Sequence, residues 1–142
     1  VLRAACGAGK IVYLPRVLDA QRMEFVRWQA GDPLPPGRFG IPEPASDPTR
    51  ILAPGALGLV LVPLLGFDAH GNRLGFGGGF YDRAFAFKHD GYAGPLLCGY
   101  AYAWQETALL TAADWDVRLD AVVTERGMTV FDPNRGNMGT TV

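Results

Sequence analysis

The residues best suited to chemistry in this chain lie between positions 73 and 83: Arg73, Leu74, Gly75, Phe76, Gly77, Gly78, Gly79, Phe80, Tyr81, Asp82 and Arg83. Glycine has no Cβ, so Gly75, Gly77, Gly78 and Gly79 can take positive φ and turn successive N–H groups toward one point. A helix starting near Tyr81 directs the positive end of its dipole at the same place. Arg73 adds a planar fork of charged donors. The chemistry this pattern suits is the wrapping of an anion, phosphate above all. The spacing is neither GxxxxGK[ST] nor a GxGxxG with a ribose-binding acid downstream, which excludes the standard P-loop and the dinucleotide fingerprint. An ordinary tight turn is the plain alternative. Context weighs against it: an apolar run at 57–61 precedes the loop and a helix-compatible stretch at 81–88 follows it.

The elements that must hold this loop are legible from the apolar pattern. Residues 1–8 read as the last turns of a helix stopped by Gly7 and Gly9, and 11–14 as a buried strand ending at Pro15. A second strand is expected at 23–28. Most of the prolines fall in 31–54, which predicts a long irregular excursion over the surface. Beyond the loop, 96–103 reads as a strand, 107–113 as a short helix or turn, 121–124 as a strand and 128–131 as a small edge strand. This alternation predicts an α/β fold, a single-domain Rossmann-like layered sheet with flanking helices over 1–131. The tail at 132–142, rich in Gly, Asn and Thr, is expected to fray.

Size and composition narrow the function. A chain of 142 residues with net charge −1 and pI near 6.1 fits one domain and lacks the basic stripe that nucleic-acid binding needs. The most apolar stretch, 56–67, contains Pro63 and falls short of the ~20 residues of a membrane span. No signal-peptide layout opens the chain. Cys6 and Cys98 show no metal or CxxC spacing, which suits reduced packing cysteines in a cytoplasmic protein. The expectation is a monomer with small-molecule partners.

The block PLLGFDAHGNRLGFGGGFYDR, with KIVYLPRV before it, FGIPEP in the proline-rich stretch and DWDVRLDAVVTERG after it, resembles the 5-formyltetrahydrofolate cyclo-ligase (methenyltetrahydrofolate synthetase) family. The resemblance covers about 1–131. It implies an enzyme that uses ATP and Mg²⁺ to close 5-formyltetrahydrofolate into 5,10-methenyltetrahydrofolate, releasing ADP and phosphate. Carried over position by position, residues Arg73 to Tyr81 match the nucleotide-binding loop, with Arg73 and Tyr81 as the catalytic pair. Asp82 and Asp120 match the Mg²⁺ positions. Met23, Phe25 and Phe39, with Tyr81, match the folate-facing blocks, as does Trp28.

Each assignment has a plainer rival. Asp82 is equally a first-turn helix acid and Asp120 a solvent-facing loop residue, while an aromatic or Met on a strand is more often core than ligand contact. Phe80 keeps the stacking surface of a Tyr pair frequent in the family but lacks its hydroxyl. His70 and His89 read as solvated, and the implied mechanism needs neither. The chain opens without Met, and the resemblance implies a basic helix and a first strand ahead of the block that starts at Lys10, so an N-terminally truncated domain is expected. The rival functions are a non-catalytic nucleotide- or folate-binding relative and, more remotely, a sugar-phosphate-binding α/β domain.

Overall fold

The computed structural model describes residues 1–133. Most of the tail expected to fray, from residue 134 on, lies outside the described residues. Two compact units divide the chain, Val1–Ala56 and a second that begins at Leu57.

In the first unit a short helix α1 (Leu2–Gly7) leads into an antiparallel hairpin of β1 (Val12–Val17) and β2 (Met23–Trp28), in a register that sets Val12 against Trp28 and Val17 against Met23. The turn between them is held by Asp19, whose Oδ1 accepts from the N–H groups of Gln21 and Arg22, each at 2.9 Å. Phe25, Val26 and Trp28 of β2 are buried and form the core of this unit. The expected end of the first strand at Pro15 is corrected: β1 runs through it to Val17. Proline is tolerated there because β1 is an edge strand, half of whose N–H groups have no ladder to join. The expected irregular stretch at 31–54 is also corrected at its end. Ile51–Leu52 forms β3, the third strand of the sheet, against Val26 and Phe25, behind a 3₁₀ turn at Pro48–Arg50 that Asp47 caps through the Thr49 N–H.

The second unit is built on β4 (Leu59–Val62), a two-stranded ribbon of β5 (Gly66–Phe67) and β6 (Arg73–Leu74), the helix α2 (Phe80–Ala84), and β7 (Leu96–Tyr100), β8 (Ala121–Thr124) and β9 (Gly127–Val130). The main sheet runs β4-β7-β8-β9, with β4, β7 and β8 parallel and β9 turned back antiparallel on β8. Val60, Val62, Leu97, Cys98, Ala121 and Val122 are buried, and Phe85, just after α2, is fully enclosed. This mixed sheet with short helices is the expected α/β class.

The local helix expectations need correction. The stretch 81–88 is not one helix: α2 ends at Ala84 and a 3₁₀ turn follows at Ala86–Asp90. At 107–113, expected as a short helix or turn, no helix forms, and long-range and turn contacts engage its amides. The Leu110 N–H donates to the Asp68 carboxylate at 3.0 Å and that of Ala113 to Asp116 at 2.8 Å. Both cysteines are free, as expected.

Candidate functional site

The glycine loop leaves β6 and enters α2, and two arginines fix its ends. Arg73 Nη2 donates to Asp82 Oδ1 at 2.8 Å, tying the last strand residues before the loop to the first turn of the helix after it. The Arg73 side chain is only 8% exposed. Its guanidinium lies beneath the loop, since a Cβ on Gly75 would come within 2.9 Å of Nη1. Arg83 Nη2 donates to the Gly78 carbonyl at 2.5 Å and its guanidinium stacks over Phe80 at 5.2 Å from the ring centroid. Between these ties Gly77 and Gly79 take φ of +93° and +66°, conformations a residue with Cβ adopts at a cost of about 1–2 kcal/mol. Among the described residues, no hydrogen bond occupies the N–H groups of Gly75, Gly77, Gly78 or Gly79. The loop therefore keeps main-chain donors unclaimed on a backbone held at both ends.

Tyr81 stacks on Phe85, with ring centroids 6.4 Å apart. Burial pushes its phenol above the ordinary 10.0, against the opposing pull of Arg73. The hydroxyl thus stays protonated at neutral pH, available as a donor.

The two acids expected to face a metal lie in different settings. Asp82 Oδ1 also accepts from the Val117 N–H at 2.9 Å, and its other oxygen makes no hydrogen bond within the described chain. Asp120 uses Oδ2 for both Lys88 Nζ and the Leu97 N–H, each at 2.8 Å, and keeps Oδ1 in reserve. Lys88 in turn donates to the Pro95 carbonyl at 2.8 Å. Among the described residues, no group of three or more His, Cys, Asp and Glu side chains forms a metal cage. Each carboxylate keeps one oxygen without a hydrogen bond among the described residues, and a carboxylate oxygen is the hard donor type that an ion such as Mg²⁺ takes alongside water and phosphate oxygens.

Lys88, the Val117 amide and Asp68 were not expected here. Asp68 is fully buried and carries four donors on its carboxylate: the N–H groups of His70, Asn72 and Leu110 and the Asn72 side-chain amide, at 2.9 to 3.0 Å. Burial pushes its carboxyl up, but those hydrogen bonds outweigh it and hold the pKa below 3.8. Gly71, at φ +83°, lets this turn press against 117–119: the Leu119 N–H donates to its carbonyl at 2.9 Å, and a Cβ there would lie 2.7 Å from the Leu119 carbonyl. The order Asp-x-His-Gly-Asn was a readable signal for such a turn. His70 is part of this scaffold through its main chain, donating to Asp68 and accepting from Arg118.

The expected folate-facing residues belong to the first unit. Phe25 and Trp28 are core, 3% and 7% exposed, so their burial describes the packing role rather than the ligand role. Met23 is partly exposed, and Phe39 is 58% exposed on the turn after Gly37.

The model of the 5-formyltetrahydrofolate cyclo-ligase family matches residues 1–125. The chain belongs to that family. Among its cyclo-ligase relatives, the 5-formyltetrahydrofolate cyclo-ligase of Escherichia coli (strain K12) is 38% identical over 119 residues, covering 82% of this chain and 64% of the relative. That of Haemophilus influenzae is 37% identical over 112 residues, covering 78% and 59%. The chain thus spans less than two thirds of the length of these relatives. The solution structure of the Aquifex aeolicus 5,10-methenyltetrahydrofolate synthetase superposes with a TM-score of 0.74 at 29% identity, over 99% of this chain and 66% of that one. The cyclo-ligase resemblance seen in the separate sequence blocks is therefore a family relationship, and it extends to the fold. Among the described residues no helix is long and apolar enough to cross a membrane.

Proposed function

We propose that this domain carries out the ATP- and Mg²⁺-dependent cyclisation of 5-formyltetrahydrofolate to 5,10-methenyltetrahydrofolate, with release of ADP and phosphate. The observation that carries the reading is the glycine loop: open amides on Gly75 to Gly79, two positive-φ glycines, and arginine ties at both ends, in a chain whose named relatives are cyclo-ligases. Such donors suit the phosphates of ATP. A formamide oxygen is a poor leaving group. Transfer of the γ-phosphoryl group to it makes an acyl-type phosphate ester; N10–H of the folate then attacks the formyl carbon, N10 gives up its proton to solvent, and the C–O bond breaks with its electron pair leaving on inorganic phosphate. The protein's share is to position the partners and balance charge.

In this reading the loop amides hold the phosphates, while Arg73 acts mainly by fixing the loop and Asp82. The Tyr81 phenol supplies a hydrogen bond beside them. Asp82 and Asp120 would hold Mg²⁺ by their spare oxygens, and the ion supplies charge neutralisation on the phosphates when bound. Met23 and Phe39 are the accessible members of the expected folate set. A small soluble-substrate enzyme working as a cytoplasmic monomer completes the proposal.

The test is ATP-dependent conversion of 5-formyltetrahydrofolate, followed by absorbance of the methenyl product. No turnover would overturn the catalytic reading, and calorimetric binding without turnover would leave a nucleotide- or folate-binding relative in its place. Asp120→Asn is expected to raise the Mg²⁺ concentration needed for half-maximal rate while leaving folate binding unchanged. An unaltered Mg²⁺ dependence would reduce Asp120 to the partner of Lys88.

A further inference from the structure

The ribbon of β5 and β6 stands outside the main sheet and pairs only two residues of each strand, Gly66 with Leu74 and Phe67 with Arg73. So short a ribbon is marginal on its own, yet the glycine loop departs from its end. The Asp68 turn closes one end. At the other, where Leu74 passes into the loop, the fastening is the half-buried side chain of Gln105. Its Nε2 donates to the Leu65 carbonyl at 3.1 Å and the Leu64 carbonyl at 3.3 Å. The Leu65 N–H donates in turn to the Leu74 carbonyl at 2.7 Å, beside Gly75.

Gln105 can hold the ribbon because its own footing is fixed. It ends a 3₁₀ turn, Ala103–Gln105, that follows β7, and its Oε1 accepts from the Tyr102 N–H at 2.8 Å. That corner is tied to the main sheet and its last hairpin. The Ala101 N–H donates to the Val123 carbonyl of β8 at 3.1 Å, and the Ala103 N–H to the Glu125 carboxylate at 2.9 Å. On the ribbon side the Thr107 N–H donates to the Phe67 carbonyl at 2.8 Å, and Gly66 allows the close approach, since a Cβ there would stand 3.3 Å from the Gln105 carbonyl. The position needs an acceptor toward Tyr102 and donors toward Leu64 and Leu65, which a primary amide supplies and a carboxylate does not. Resting on the nucleotide reading of the loop above, we infer that Gln105 is a positioning residue for that loop. It couples the loop's base to the main sheet through Leu65 and Leu74, and so keeps the Gly75 to Gly79 amides aligned for phosphate.

Two variants test this. Gln105→Ala removes the tie, while Gln105→Glu keeps an acceptor for the Tyr102 N–H and sets a charge against the two carbonyls. Near neutral pH both are expected to weaken ATP by about tenfold in calorimetry and to leave 5-formyltetrahydrofolate affinity unchanged. A protonated carboxyl has an O–H to donate. The deficit of Gln105→Glu, relative to the native chain at the same pH, should therefore shrink as pH falls toward about 5, whereas that of Gln105→Ala should not. In both, the Leu65 N–H should exchange with solvent at least about tenfold faster, with the β8 amides unchanged. Unchanged Leu65 exchange in a folded variant would overturn the inference. So would an equal loss of ATP and folate affinity, a Gln105→Glu deficit indifferent to pH, or failure of both variants to fold, each of which would make Gln105 a general stabiliser. Failure of the nucleotide reading looks different: a native chain that binds no ATP, while Leu65 exchange still depends on Gln105, keeps the tie and removes its ligand.

Discussion

The turn at 68–72 and the loop at 75–79 lie on either side of β6 and use the same materials, glycine with positive φ and a neighbouring acid, to opposite ends. In the turn, the Asp68 carboxylate points inward and takes up the amides of His70, Asn72 and Leu110. In the loop, the acid is drawn away: Asp82 faces Arg73 and Val117, and the glycine amides are left open. A satisfied turn serves the fold, whereas an unsatisfied one leaves its donors unclaimed. Backbone donors that the fold does not use are what a ligand can use.

The largest break in this contrast comes from removing the inward acid. Asp68→Ala strands four buried or half-buried donors and is expected to destabilise the second unit by about 4 kcal/mol, read as a fall in urea midpoint at constant m-value. Its pH dependence follows from the depressed pKa. A group that ionises more readily when folded contributes fully above its ordinary 3.8, and the contribution is lost as pH falls through the lower folded value. The advantage of the native chain over Asp68→Asn should therefore be flat near neutrality and shrink below about pH 3.8. An advantage that instead declined between pH 5 and 7 would contradict the hydrogen-bond assignment.

The next effect belongs to the open loop. Gly79 has φ +66°, and a Cβ would come 2.8 Å from the Arg83 guanidinium, so Gly79→Val is expected to cost about 1–2 kcal/mol in stability. Its larger consequence is functional: ATP affinity should fall by about tenfold or more as the amides move out of alignment. The asymmetry is the point, since Asp68→Ala should lower stability more than any loop glycine substitution. Unchanged ATP affinity in Gly79→Val would remove the loop from the binding site.

These contrasts also explain what the sequence disclosed. The strand at 23–28 and that at 121–124 were readable because β-branched and aromatic residues bounded by turn residues fit few other structures. The glycine loop and the family blocks were readable because local spacing carries them. Pro15 misled because an edge position is a property of the sheet, not of the residue. Residues 107–113 have a helix-compatible composition, yet the partner that claims the Leu110 amide is 42 residues away in the chain. Lys88 and Asp120 are separated by 32 residues and Val17 and Glu43 by 26, so neither pair announces itself in a local window. Local chemistry is visible in the sequence; the assignment of each donor to its acceptor is a tertiary fact.

A smaller effect is expected at Arg83, which is exposed and touches the loop from outside. Arg83→Ala removes the hydrogen bond to the Gly78 carbonyl and the contact with Phe80, at an expected cost of about 0.5–1 kcal/mol. Hydrogen exchange resolves its role better than stability does. If Arg83 restrains the loop, the N–H groups of Ala84 and Phe85, at the end of α2, should exchange faster in the variant while those of β8 remain unchanged.

The smallest effect sharpens the comparison most, because it repeats the chemistry of Asp68 without the burial. Asp19 accepts from the N–H groups of Gln21 and Arg22 and from the Arg22 side chain at 2.6 Å. The Gln21 amide, then the Arg22 side chain, lower its pKa to about 2. Water can replace all these donors in the unfolded chain and can reach them in the folded one, so a depressed pKa here does not translate into the stability that the same chemistry confers in the interior. Carboxyl-carbon NMR should find Asp19 titrating near 2. Asp19→Ala should nevertheless leave the unfolding midpoint close to that of the native chain. If it destabilised as much as Asp68→Ala, the distinction drawn from burial would fail, and the number of donors alone would decide what a turn is worth.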